Sequence, residues 1–544
     1  SGPGLRPGPG GPKARQAAGA AESCLKDFRL PGGGRLKTNS RRRNGYINMK
    51  YLSTRGGCAA ENASQCFISG IAGDGGLFVP QSFPKLSLEE IVSLKDLSYS
   101  QRCARILSRY LDDFTSQELD ACLKAAYDGG SFDSPQRAPL NLLEEGAYML
   151  ELWHGPTLAF KDMALQLLPH LLATAKRKLN RTETTLILVA TSGDTGKAAL
   201  EGFCDVQGVK ISVFYPDEGV SLMQKLQMTT QTGGNVLTVA VRGNFDDAQT
   251  GVKRIFADQD VKEQLKKENV VLSSANSINW GRLVPQIAYY FSAYADICAQ
   301  GGAQPGEKIN FAVPTGNFGN ILAGYYAMRM GLPVNRFICA SNINNVLTDF
   351  INNGCYNARR EFHKTSSPSM DILISSNLER LLFELFDRDA GKVRECMDHL
   401  RDSGEYSISQ ALRERLAQKE RFWGGYCNET EVFKAIKGVY ERCGRIIDPH
   451  TAVAAGVYEK YRRETGDGAP AVIVSTASAF KFPSSVLEAI TGEKCGEFEA
   501  VKRLEGLGGT VPRSIKELRE RPILHKRVCN KEEMPQIVLE FAAQ

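Results

Sequence analysis

Lys161 stands next to last in the stretch 151–162, ELWHGPTLAFKD, and its placement is the strongest hint of chemistry in the chain. A turn with Gly155 and Pro156 leads into it, and a helix follows with Leu165, Leu168 and Leu172 on one apolar face. The amino end of a helix carries partial positive charge, so a lysine there is misplaced as a cation. Losing that charge in a covalent bond to a carbonyl compound makes the position favourable. The plain alternative is a lysine that extends its head into water beside Asp162. The neighbouring loops decide between the two.

Four further segments are rich in Gly, Ser, Thr and Asn. ATSGDTGKAAL (190–200) follows an apolar strand and opens a helix, so its amides, with Thr191, Ser192, Asp194 and Thr195, form an anion cradle. It is not a nucleotide P-loop, because Thr191 stands where that motif needs Gly and Ala198 where it needs Ser or Thr. PTGNFGN (314–320) joins the strand INFAVP to the helix ILAGYYAMRM, and Gly316 and Gly319 admit the close approach of a phosphate. It lacks GxGxxG and an acidic partner for a ribose, so a single phosphate monoester suits it better than a dinucleotide. STASAFKF (475–482) sets Thr476 at a strand end. SSANSINWGR (273–282) places Asn276 and Ser277 ahead of a helix with Arg282 about a turn further on, and a guanidinium suits a second phosphate or a carboxylate. Each loop alone also reads as an ordinary turn with good helix caps. Together they favour a cofactor that carries both an aldehyde for Lys161 and a phosphate for a cradle. Pyridoxal phosphate is that cofactor.

The elements that must hold these loops follow from periodicity. Short β-branched strands are expected at 185–190, 210–215, 236–241, 309–314, 337–341 and 471–476, and amphipathic helices follow most of them. Such alternation gives mainly parallel sheets with helices on both faces, where ligands bind beyond the carboxyl ends of the strands. The expected organisation is a leader (1–48), a mainly helical N-terminal domain (49–138), a smaller α/β domain (139–305) and a larger one (306–544). The smaller domain would hold Lys161 and the TSGDTG loop. The larger would hold PTGNFGN, a helical excursion over about 378–441, and a tail from about Val501.

Composition narrows the class. The net charge of +6 comes from the leader, where ten Lys or Arg face two acidic residues, so the remainder is slightly acidic and offers no basic face for nucleic acid. The Gly-, Pro- and Arg-rich leader cannot bury enough apolar surface to fold alone, so it is expected to be disordered, either a tag remnant or a transit peptide. Fourteen cysteines stand singly, without CxxC pairs or histidines at metal-ligand spacing. That pattern, with no apolar run of spanning length, favours a cytoplasmic enzyme with neither a metal nor a membrane partner.

At ELWHGPTLAFKD, ATSGDTG, SANSIN with Arg282, and PTGNFGN, in that order, the chain resembles the threonine synthases, pyridoxal phosphate enzymes related to tryptophan synthase β. The resemblance runs from Met49 to about Glu493. It departs at Ser478 and Ala479, where bacterial members carry His-Pro. It implies fold type II, and it implies conversion of O-phospho-L-homoserine and water to L-threonine and phosphate by a monomer or homodimer. Lys161 would bind the cofactor covalently, Gly316, Asn317, Phe318, Gly319 and Asn320 would hold its phosphate, and Thr476 would face its ring nitrogen. Thr191, Ser192, Asp194 and Thr195 would line the substrate carboxylate and the cofactor edge, while Asn276, Ser277 and Arg282 would take the substrate phosphate. Two other readings use the same residues: a phospho-lyase acting on phosphorylated hydroxy amino acids, and an idle paralogue that only binds. Pro156 and Leu158 favour the biosynthetic branch.

Overall fold

The computed structural model describes residues 48–544, apart from Ser192, Gly219 and the side chain of Asp246. The leader expected to be disordered lies, except for Asn48, outside the described residues.

Two parallel sheets carry the candidate loops. The first has six strands in the order Phe422–Tyr426, Val334–Ser341, Ile309–Pro314, Ala471–Ser475, Ala147–Glu151 and Leu140–Glu144, with only the last antiparallel to its neighbour. The second is wholly parallel, in the order Val528–Cys529, Val236–Val241, Val209–Pro216, Thr184–Ala190 and Val270–Ser273. Strands buried on both faces read as continuous apolar runs rather than alternating ones. That is why ILVA, VFY, INFAVP and AVIV were legible as strands.

The sheets correct the sequence-based boundaries. Residues 140–151 were assigned to the smaller unit but form the edge hairpin of the six-stranded sheet. The tail was assigned to the larger unit, yet Val528–Cys529 pairs with Val236–Val241, and the helix Met534–Ala543 buries Ile537, Val538 and Phe541 against the five-stranded sheet. The N-terminal segment carries several helices, and Ser87, Ser98 and Thr115 each make a capping box. It is not a separate body. Its Phe67, Ile106, Leu107 and Tyr110 share one apolar cluster with the helices Trp280–Ala299 and Gly319–Met330.

The helix after Lys161 is broken into Asp162–Leu165 and Leu168–Lys178. Pro169 has no N–H to donate to Leu165, so one unbroken ladder cannot run through it. Among the described residues no helix is long and apolar enough to cross a membrane.

Candidate active site

Lys161 leaves the carboxyl end of strand Ala147–Glu151 on a loop tied to the neighbouring strand end. Leu152 N–H donates to the Ser475 carbonyl (2.9 Å) and Phe160 N–H donates to the Thr476 carbonyl (2.8 Å). Asp162 anchors the loop from below, accepting from Thr157 N–H (2.9 Å) and the Thr157 hydroxyl (2.6 Å). A Cβ on Gly155 would stand 2.4 Å from that of Asp162, so only glycine lets the loop fold this closely. Burial pushes the Asp162 carboxyl up to about 6, against the hydrogen bonds from Thr157 that lower it.

The amine of Lys161 is buried and does not use Asp162. It donates to Ser369 Oγ (2.9 Å) and to Asp194 Oδ2 (3.3 Å). Desolvation lowers its pKa, assisted by the charges of Lys481 and Arg282 and opposed by Asp194. The sequence pointed to the helix terminus as the source of the difficulty; here burial is the largest cause, and the carboxylate partner is Asp194 rather than Asp162.

Asp194 starts the helix Asp194–Phe203 after strand Thr184–Ala190 and is the hub of the site. Oδ2 also accepts from Ser369 Oγ (2.8 Å); Oδ1 meets Lys481 Nζ (2.7 Å) and Gln224 Nε2 (3.0 Å). Burial would raise its carboxyl, yet Lys481, Lys161 and His450 together hold it well below the usual carboxylate range. In the same loop Thr191 Oγ1 accepts from the amides of Gly193 and Gly196 (both 3.0 Å), so that hydroxyl shapes the turn. Thr195 is half-buried, and Ser192 lies outside the described residues.

The turn at 316–320 lies beside this hub. A Cβ on Gly316 would stand 2.7 Å from the carbonyl oxygen of Ser369, the residue whose hydroxyl bonds Lys161. Phe318 takes a left-handed conformation (φ 64°) and turns the chain into the helix Gly319–Met330. Thr315 N–H donates to the Ala340 carbonyl, but among the described residues none of the amides of residues 316–320 donates to another backbone group. Asn320 is buried, with Oδ1 accepting from Tyr289 (2.6 Å) and Tyr290 (2.8 Å) while Nδ2 has no partner. Unsatisfied donors at the start of a helix, in a turn buried at Phe318, Gly319 and Asn320 and open at Asn317, are suited to an anion.

Ser277 reaches the same turn: Asn377 Nδ2 donates to its Oγ (3.3 Å) and to the Asn317 carbonyl (3.0 Å). Arg282 is buried with Nε unpartnered, and burial pushes its pKa down to about 10. Asn276 is exposed, and Asn279, not Asn276, caps the helix Trp280–Ala299 by accepting from Gly281 N–H (2.9 Å). Thr476 is buried beside the Lys161 loop through its carbonyl.

Sequence reasoning missed Ser369, Lys481, Gln224 and the pair His450–Asp448. His450 Nε2 accepts from Ser369 N–H (3.2 Å), and its Nδ1 lies 2.7 Å from Asp448. Lys481 precedes the helix Pro483–Thr491, and His450 sits in the first turn of Pro449–Thr465. The signal that singled out Lys161, a base at the positive end of a helix, was therefore present at both.

A family model described as threonine synthase N terminus matches residues 50–127. Another, pyridoxal-phosphate dependent enzyme, matches 138–477, and a third, threonine synthase C-terminal, matches 451–540. The chain belongs to the threonine synthase family. The family match therefore continues past Val501 into the tail, further than the motifs alone reached. Threonine synthase of Pseudomonas aeruginosa is 40% identical over 82% of this chain and 91% of its own length. The human protein named threonine synthase-like 1 is 43% identical over 81% of this chain and 59% of its own, so the chain spans about three-fifths of that relative. The crystal structure of PLP-bound threonine synthase from Brucella melitensis superposes with a TM-score of 0.81 at 35% identity, covering 91% of this chain and all of that one. The yeast threonine synthase structure matches with the same score at 31% identity, over 91% of this chain and 98% of that one.

The fold is therefore the type II fold of pyridoxal phosphate enzymes, and pyridoxal phosphate is the cofactor. The side chains fit it. A buried amine with lowered proton affinity suits an aldehyde. The partnerless amides of 316–320, with Asn320 Nδ2, suit a phosphate.

Proposed function

We propose that this chain makes L-threonine and phosphate from O-phospho-L-homoserine and water, with Lys161 as the covalent anchor of the cofactor and its chief proton carrier. The observation that carries the reading is the joining of Lys161, through Ser369, to a turn of unpartnered amides. Bound pyridoxal phosphate supplies an electron sink for negative charge at the substrate's α-carbon.

The residues divide the remaining work. Burial lowers the proton affinity of Lys161 Nζ, which suits an amine that takes a proton from carbon and returns one. Ser369 and Asp194 fix the direction of that amine from two sides, which limits the positions between which the proton moves. Gly316, Asn317, Phe318, Gly319 and Asn320 hold the cofactor phosphate, and Thr476 faces the ring nitrogen. Arg282, with Asn276 and Ser277, takes the substrate phosphate; its buried, unpartnered Nε is a donor awaiting an oxyanion. Thr191, Ser192, Asp194 and Thr195 line the substrate carboxylate and the cofactor edge.

The alternative is a phospho-lyase that would act on phosphorylated hydroxy amino acids with the same cofactor and residues. Incubating the cofactor-loaded protein with O-phospho-L-homoserine, and assaying threonine, 2-oxobutyrate and phosphate together, separates the two. Threonine and phosphate in equal amounts are expected. A keto acid in place of threonine would favour the lyase, and no product from loaded protein would reject both. Lys161→Ala should abolish turnover while circular dichroism stays unchanged.

A further inference from the structure

Two lysines, Lys161 and Lys481, meet one carboxylate inside the protein, and only one of them has been given a task. Lys481 is wholly buried; its Nζ lies 2.7 Å from Asp194 Oδ1 and donates to the Thr157 carbonyl (3.0 Å). Lys161 stands further off, 3.3 Å from the other oxygen, and its nearer partner is the Ser369 hydroxyl at 2.9 Å. We propose that Lys481 is a positioning residue that neutralises Asp194, so that Lys161 is free to act as an uncharged amine.

The geometry favours this division of charge. Both acceptors of Lys481, a carboxylate and a carbonyl, are centres of negative charge with no proton to give. Ser369 Oγ, by contrast, donates to Asp194 while accepting from Lys161, so it can serve the amine in either charge state. Were Asp194 faced by Lys161 alone, their attraction in a site closed to water would hold the proton on Lys161. The other charged groups here do not replace Lys481. Arg282 adds a further positive charge, and His450 is held by Asp448. Asp162 is committed to Thr157. Lys481 also ties Asp194 to the Thr157 carbonyl, in the loop that delivers Lys161, so one side chain sets both the charge and the register of the two partners.

The inference rests on Lys161 as the covalent anchor but not on the identity of the substrate. The experiment is a pH titration of the absorption band of lysine-bound pyridoxal phosphate in purified holoenzyme. Loss of that band in Lys161→Ala tests the anchor separately. In Lys481→Met, which keeps the side-chain volume and removes the charge, the midpoint should rise by at least about one pH unit, a tenfold change in proton affinity. In Lys481→Arg it should stay close to that of the parent. An unmoved or lowered midpoint in loaded Lys481→Met overturns the proposal, since a merely structural lysine would change cofactor content without moving the titration. Should Lys481→Met not fold, the double variant Lys481→Met/Asp194→Asn removes both charges together. Its midpoint should fall below the parent's, because Asp194 raises the proton affinity of Lys161 more than Lys481 lowers it, and an unchanged or raised midpoint would refute the proposal.

Discussion

Substituting Gly319 by Ala separates the needs of the fold from the needs of the cofactor. Gly319 is the first residue of the helix Gly319–Met330, and a Cβ there would meet nothing nearer than the tip of Asn377 at 3.6 Å. The protein alone therefore has room for the methyl, and Ala is the better helix former by up to about 1 kcal/mol. Cofactor-free Gly319→Ala should unfold at the parent's temperature or slightly above it. The same methyl projects beside the unpartnered amides assigned to the cofactor phosphate. Crowding a close-packed contact by one methyl costs about 1–3 kcal/mol, so pyridoxal phosphate should bind roughly five- to a hundredfold more weakly. Calorimetric unfolding of the cofactor-free protein and spectroscopic titration with pyridoxal phosphate measure the two quantities. Gly316→Ala is the contrasting case, because its Cβ would stand 2.7 Å from a backbone oxygen and the protein itself must distort. Unchanged cofactor affinity in Gly319→Ala would refute the assignment of 316–320 as the phosphate cradle.

Arg282→Ala should raise the KM for the phosphorylated substrate by roughly ten- to a hundredfold, since a charge-assisted hydrogen bond contributes about 1.5–3 kcal/mol. Cofactor affinity should hardly change; weaker cofactor binding with normal KM would contradict this. His154 is raised to about 9: burial alone would lower it, but Asp133 and Glu151 on either side raise it. Its stabilising contribution is complete below about pH 6.5 and is lost as pH rises through about 9. Discounting for the half-exposed Asp133, it amounts to about 2 kcal/mol. Denaturant midpoints should therefore fall between those pH values in the parent and much less in His154→Gln; equal falls in both would refute the linkage.

Most of the frame was legible because buried parallel strands leave continuous apolar runs and each is followed by a turn rich in helix-capping residues. The short strands were not. Val528–Cys529 has two residues, and Phe422–Tyr426 is FWGGY, whose glycines give no strand signal. Both exist because a neighbouring strand offers an edge to pair with, which is tertiary information. In the site, Lys161, Asp194 and the turn at 316–320 could be found from local sequence, since each sits at a strand end opening a helix. Ser369 could not, because it lies in a 3₁₀ turn remote in sequence from both groups it joins. Asp162 was the obvious partner for Lys161 by adjacency, but the helix start turns its carboxylate back onto Thr157 and leaves the amine to Asp194.

Because two buried lysines share Asp194, the covalent anchor is the point on which the account stands. Reducing the holoenzyme with borohydride and mapping the pyridoxyl-bearing peptide by mass spectrometry tests it most directly. The label is expected on Lys161, in the peptide containing GPTLAFK. A label on Lys481, or on neither lysine, would contradict it.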